Sequence, residues 1–150
     1  MRPRRSIKSI AFLCITALLV MSTACSNWEQ TTFQVLSASS GTIHQAILDY
    51  NGATTRTTGE YNALVAAKNA NNLAVQAFKS YWDVKVSVTS TLSACNKSTT
   101  PACTQAQADL NAAIAAVNSA LLQLGPLVTA VKTLKTAPPG GIGTQQVITP

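Results

Sequence analysis

An all-α fold is what this sequence predicts: an antiparallel long helical hairpin with a shorter third helix, together a three-helix bundle. Three observations carry that expectation. Apolar residues recur at alternating steps of three and four, the period at which one helix face returns. Start and stop signals divide the pattern into three segments. The two longer segments, residues 58–95 and 101–135, match in length at roughly 50–57 Å each, given a rise of 1.5 Å per residue. A short loop between them folds them side by side.

The first seam runs Phe33, Leu36, Ser40, Ile43, Ile47, Tyr50. Thr31 or Thr32 is positioned to cap its start, and Asn51-Gly52 is a favourable stop. Gly41 costs this helix stability because glycine has more backbone freedom to lose. ATTRTTG, residues 53–59, reads as a loop. The second seam runs Leu64, Ala67, Asn71, Ala74, Phe78, Tyr81, Lys85, Val88, Leu92, Cys95. Thr57 with Glu60 three positions later has the form of a capping box. Asn71 and Lys85 interrupt the stripe, either as register or partner-facing residues or as residues at its edge. VKVSVTSTL, Val84 to Leu92, alternates like a strand and is rich in β-branched residues. A lone strand has no pairing partner here, so helix is the expectation and strand the alternative.

The third seam is the clearest: Cys103, Ala106, Leu110, Ala113, Val117, Ala120, Leu124, Leu127, Val131, Leu134, widened by Ile114, Leu121 and Val128. Thr100-Pro101 suits a start, since proline at the first helical position loses no needed N–H. Pro138-Pro139-Gly140-Gly141 ends the segment. Pro126 removes one hydrogen bond inside it, so a kink is expected there. Between the long helices lies CNKSTTPAC. Redox dithiols usually stand two residues apart at a helix start. Cys95 and Cys103 are further apart, which favours a disulfide clamping the hairpin tip over a redox pair.

The chain opens with MRPRRSIK, whose Arg2, Arg4, Arg5 and Lys8 are positive with no acid. An apolar run, Ile10 to Met21, follows, and then the small residues Ser22-Thr23-Ala24. This is the plan of a cleaved export signal. The run is shorter than the ~20 residues that span a bilayer comfortably, which disfavours a retained anchor. STAC, residues 22–25, resembles the lipobox of bacterial lipoproteins, in which the cysteine becomes the lipidated first residue. That resemblance implies lipidation of Cys25, with acyl chains such as palmitate holding the protein to a membrane. Ser22 stands where the pattern usually has a leucine-like residue, and Ser22-x-Ala24 also suits ordinary signal peptidase. Both routes cut between Ala24 and Cys25 and differ in whether Cys25 carries lipid. Of four cysteines, Cys14 leaves with the signal and Cys95 and Cys103 can pair. Cys25 is then odd, and lipidation accounts for it. Ser26 after the cysteine resembles the outer-membrane-bound class.

The expected organisation is a signal at 1–24, a lipid-anchored linker at 25–31, a helical domain at 32–136 and a flexible Pro/Gly-rich tail at 137–150. The mature part resembles the small helical envelope lipoproteins. Those that attach to the cell wall do so through a terminal lysine, and the VITP of residues 147–150 has none.

Charge excludes some functions. The formal net charge of +6 falls to +2 once the four basic residues of the leader are removed. The remainder show no basic stripe with interleaved aromatics, so nucleic-acid binding is not expected. His44 is the lone histidine, which argues against a zinc site or a triad. No phosphate loop, HExxH or GxSxG occurs. No catalytic residue, metal site or cofactor is predicted. An enzyme would require Asp49, Glu60 and His44 to converge in one concavity.

Leu110 to Val131 carries no charge, which raises the question of membrane insertion. Asn111 and Asn118 on one face, with Ser119, Gln123 and Thr129, favour burial in a bundle or oligomer. The expected role is therefore structural or adaptor-like, at the periplasmic face of the outer membrane in a bacterial envelope. The candidate interaction seam is Leu110, Val117, Leu121, Leu124, Val128 and Val131, with a second copy or an envelope protein as partner. The alternatives are a membrane-active, pore- or toxin-like helix at 110–131 and a secreted domain without lipid.

Overall fold

A computed structural model gives the architecture and describes residues 27–53, 56–95, 100–134 and 148–149. The fold is all-α, as the periodicity requires: α1 (Trp28–Gly52), α2 (Thr58–Ala94) and α3 (Pro101–Leu134), with no strand among the described residues. The chain divides into two compact units, Met1–Val35 and Leu36–Pro150. In the first, the described part is the opening of α1. The second holds the rest of α1 and the long pair.

α1 begins at Trp28, ahead of the capping threonines, so residues 28–31 are helix where a linker was expected. The Asn27 carbonyl accepts from the Thr31 N–H at 2.9 Å, and Glu29 puts a negative charge in the first turn, where the helix dipole favours it. The buried face of α1 is Thr32, Leu36, Ser39, Ile43, Ala46, Ile47 and Tyr50. Phe33 and Ser40, expected on it, are exposed. Leu36, Ile43, Ile47 and Tyr50 of the expected seam are buried, and the two misses are each one position off, with Thr32 buried in place of Phe33 and Ser39 in place of Ser40.

The capping box of α2 forms as read: Glu60 N–H donates to Thr57 Oγ1 at 3.1 Å, and Thr57 N–H donates to Glu60 Oε2 at 2.8 Å. Leu64, Ala67, Asn71, Ala74, Tyr81 and Val88 are its buried residues. Val84 to Leu92 is helical throughout. Its hydroxyl residues bond back to the preceding turn, Ser87 to the Val84 carbonyl and Thr89 to that of Lys85. Such bonds let short polar side chains sit inside a helix at little cost.

α3 starts at Pro101 as expected and runs through Pro126 as one helix. Proline leaves the Leu122 carbonyl without its donor, but Leu122 and Pro126 both lie on the exposed flank, where water can serve it. The buried residues are Ala106, Val117, Leu121, Leu124, Val128 and Val131. Leu121 and Val128 are thus central, while Ala120 and Leu127 are half-buried.

α2 and α3 form the most extensive pairing among the described helices. At one end Cys95 and Cys103 are joined by a disulfide, with Cα atoms 5.8 Å apart. At the other, Glu60 and Leu64 of α2 share a cleft with Val131 and Leu134 of α3. These two juxtapositions set the helices antiparallel. Ala46, Tyr50 and Ala53 line the same cleft, so the end of α1 closes the open end of the hairpin.

Candidate functional site

The sequence-predicted residues separate into three groups. Cys25 and the leader lie outside the described residues, as do residues 137–147 of the expected tail. Cys95 and Cys103 are paired at the hairpin tip. Thr100 Oγ1 donates to Cys103 Sγ at 3.1 Å, and Thr104 N–H donates to the Thr100 carbonyl at 3.0 Å. Helix start and disulfide therefore brace one another.

The expected interaction seam of α3 is largely consumed inside the chain. Val117, Leu121, Leu124, Val128 and Val131 are buried, and Leu110 is half-buried. α2 and the end of α1 take the apolar area that a second copy was expected to cover. Among the described residues of this unit, the large apolar side chains left in solvent are Leu48, Leu73, Val75, Trp82, Val86 and Leu122. Val75, Trp82 and Val86 stand seven and four residues apart and share one flank of α2. Lys85 Nζ lies 4.4 Å from the Trp82 ring centroid, a cation–π contact. Phe78 and Tyr81 pack around the same indole. Lys85, read as a break in the seam, is thus half-buried on an aromatic ring. Asn71 is buried, and its Oδ1 has no hydrogen-bond partner.

The richest polar constellation lies at the open end of the hairpin, which sequence reading took as a loop and a tail. Asn51, in the last turn of α1, donates from Nδ2 to the Ile148 carbonyl at 2.8 Å and accepts at Oδ1 from the Ile148 N–H at 3.2 Å. Lys68 Nζ donates to the Thr149 carbonyl. Ile148 is only 5% exposed. Ile148 and Thr149, within the stretch expected to be a flexible tail, are therefore seated on the bundle. Arg56 supplies the cation that the last turn of α1 lacks: Nη2 donates to the Asn51 carbonyl, a C-terminal cap. Its guanidinium also lies 5.5 Å from the Tyr50 ring centroid, and Tyr50 meets Tyr61 at 6.4 Å. Arg56 Nε is buried with no partner. The only local hint of all this was the Asn-Gly stop, which marks a helix end and not a long-range contact.

The neighbouring cleft, about 130 Å³, brings Asp49 and Glu60 together, but His44 is not among its lining residues. Glu60 is held in the capping box, and Asp49 accepts from Gln45 Nε2 at 2.8 Å. The lining is otherwise Ala46, Tyr50, Ala53, Leu64, Val131 and Leu134, a surface suited to an aliphatic group more than to acid–base chemistry. Among the described residues no group of three His, Cys, Asp or Glu is placed to hold a metal. Comparison with protein-family models, with curated proteins and with solved structures finds no match to this chain.

Proposed function

We propose that this chain is a bacterial envelope lipoprotein: cleaved before Cys25, anchored by lipid on that cysteine, and serving as a structural or adaptor module at the periplasmic face of the outer membrane. The observation that carries the reading is the ordered leader: basic Arg2 to Lys8, apolar Ile10 to Met21, then STAC ending at Cys25. The Cys95–Cys103 disulfide supports it, because such bonds persist in oxidising compartments. With those two paired and Cys14 inside the leader, lipid explains the remaining thiol. Lipid contributes roughly 0.8 kcal/mol per buried CH₂, so a multiply acylated cysteine anchors firmly. The module's offered face, in this reading, is the exposed Val75, Trp82 and Val86 flank of α2.

Intact mass of the N-terminal peptide from membrane-purified protein tests this, alongside Cys25→Ala. A diacylglyceryl-type increment on Cys25, lost together with membrane attachment in the variant, is the expected result. An unmodified Cys25 start would replace this reading with a secreted helical domain, and an uncut Met1 would replace it with a transmembrane anchor.

A second reading, a membrane-active helix, draws on α3. That helix is long and apolar enough to cross a membrane, and only 28% of its most apolar window is buried. Yet its outward face mixes small alanines with the polar Asn111, Ser119, Gln123 and Thr129, while most of its large aliphatic side chains are buried or half-buried. Insertion would have to strip α3 from α2. Dye leakage from liposomes exposed to the delipidated protein separates the two readings, and none is expected from an adaptor.

A further inference from the structure

Asn51 reads the main chain of Ile148, not its side chain. A carboxamide places a donor and an acceptor side by side, the pair that an adjacent strand offers to one residue of an extended chain. The two bonds, at 2.8 and 3.2 Å, use both groups on the same residue. Ile148 itself is buried, and the Lys68 ammonium takes the next carbonyl, that of Thr149. Arg56 holds Asn51 from behind through the Asn51 carbonyl, and its buried Nε keeps one donor unspent.

These parts make up a peptide-recognition site: main-chain hydrogen bonds supply sequence-independent attachment, and a buried seat selects an aliphatic side chain. Nothing in that recognition depends on the peptide belonging to the same chain. We propose that the end of the bundle formed by Asn51, Arg56 and Lys68 is a peptide-capture site for a short extended segment bearing a β-branched aliphatic residue. Ile148–Thr149 occupies it in cis as a displaceable latch, and a segment of the same chemistry from a partner takes its place. The proposal does not depend on lipid at Cys25, and its test leaves the anchor untouched.

The competition has a predictable size. A tethered segment acts at an effective concentration on the order of millimolar, so for a segment whose intrinsic Kd is about 0.1 mM or tighter it suppresses binding of the free peptide by about tenfold or more. The experiment titrates a fluorescent peptide of sequence QQVITP, residues 145–150, against the intact chain in detergent, followed by anisotropy. Three proteins are compared: the unaltered chain, Ile148→Asp, and Ile148→Asp combined with Asn51→Ala. Release of the latch in Ile148→Asp should tighten binding at least tenfold, and adding Asn51→Ala should reverse the gain. A peptide with Asp in place of the isoleucine should not bind. Equal affinity of the unaltered chain and Ile148→Asp would overturn the proposal. So would undiminished binding of the Asp peptide, an arm that leaves the protein unchanged and so cannot be confused with misfolding. Circular dichroism melts of the variants identify any loss of the bundle itself.

Discussion

The two ends of the α2–α3 pair are held by different physics. At the open end Ile47, Leu64 and Val131 are each no more than 2% exposed, and α1 lies against the pair. At the tip, between Leu92 and Ala106, Ala106 is the one buried side chain among the described residues. Two helices side by side can enclose only a line of contact. A third turns that line into a volume in which side chains lose all their water, at ~25 cal/mol per Å² of apolar surface. At the tip, where few of the described side chains are buried, the chain uses a covalent bond. The tip is thus tied by Cys95–Cys103 and the open end by packing.

The strongest way to break this comparison is to make the same substitution at both ends. Leu64→Ala removes a fully buried side chain and should cost about 2–5 kcal/mol in denaturant unfolding. Leu92→Ala, at a half-buried position, should cost only about 1 kcal/mol. Equal costs would mean that the tip is packed in solution as tightly as the open end.

Reduction of the disulfide comes next in size. Closing so short a loop is worth ~2–3 kcal/mol through the unfolded state. The loss should also be local. Hydrogen exchange should speed first in the amides of Val88 to Cys95 and Thr100 to Ala106, while those around Leu64 and Val131 keep their protection. Uniform acceleration, or an unchanged melting temperature, would show that the bond does not hold the tip.

The same contrast explains what the sequence revealed. Local signals were legible: three helices from their periods, α2's start from Thr57 and Glu60, α3's start from Thr100-Pro101, and the clamp from two cysteines flanking a short loop. Each depends on residues a few positions apart. The phase of the seams was less so, because a 3.6-residue turn lets counts from Phe33 and Thr32 look equally regular until a neighbour chooses. Asn51 with Ile148 was not legible at all. Those residues are 97 positions apart, and an asparagine before a glycine already has a sufficient local explanation as a helix stop. Arg56 was hidden in the same way, inside a threonine-rich stretch that reads as loop. Burial of the α3 seam likewise could not separate a partner's helix from the chain's own.

The finest test concerns α1, the element that distinguishes the two ends. Gly41 sits mid-helix and exposed, and a Cβ added there meets nothing within 4 Å. Gly41→Ala therefore changes no contact. It removes unfolded-state freedom and should stabilise the protein by ~0.5–1 kcal/mol if α1 is helical through Gly41 in the folded molecule. Ser119, exposed on α3, provides the reference: Ser119→Ala acts in a helix whose buried face is assured, and its gain comes from helix propensity alone. Similar gains at the two sites would show that α1 is as firmly ordered as α3, and that the open end is a true three-helix enclosure. A gain at Ser119 with none at Gly41 would mean that α1 frays before the pair unfolds, so that the open end is held more by α2 and α3 than by the helix laid against them.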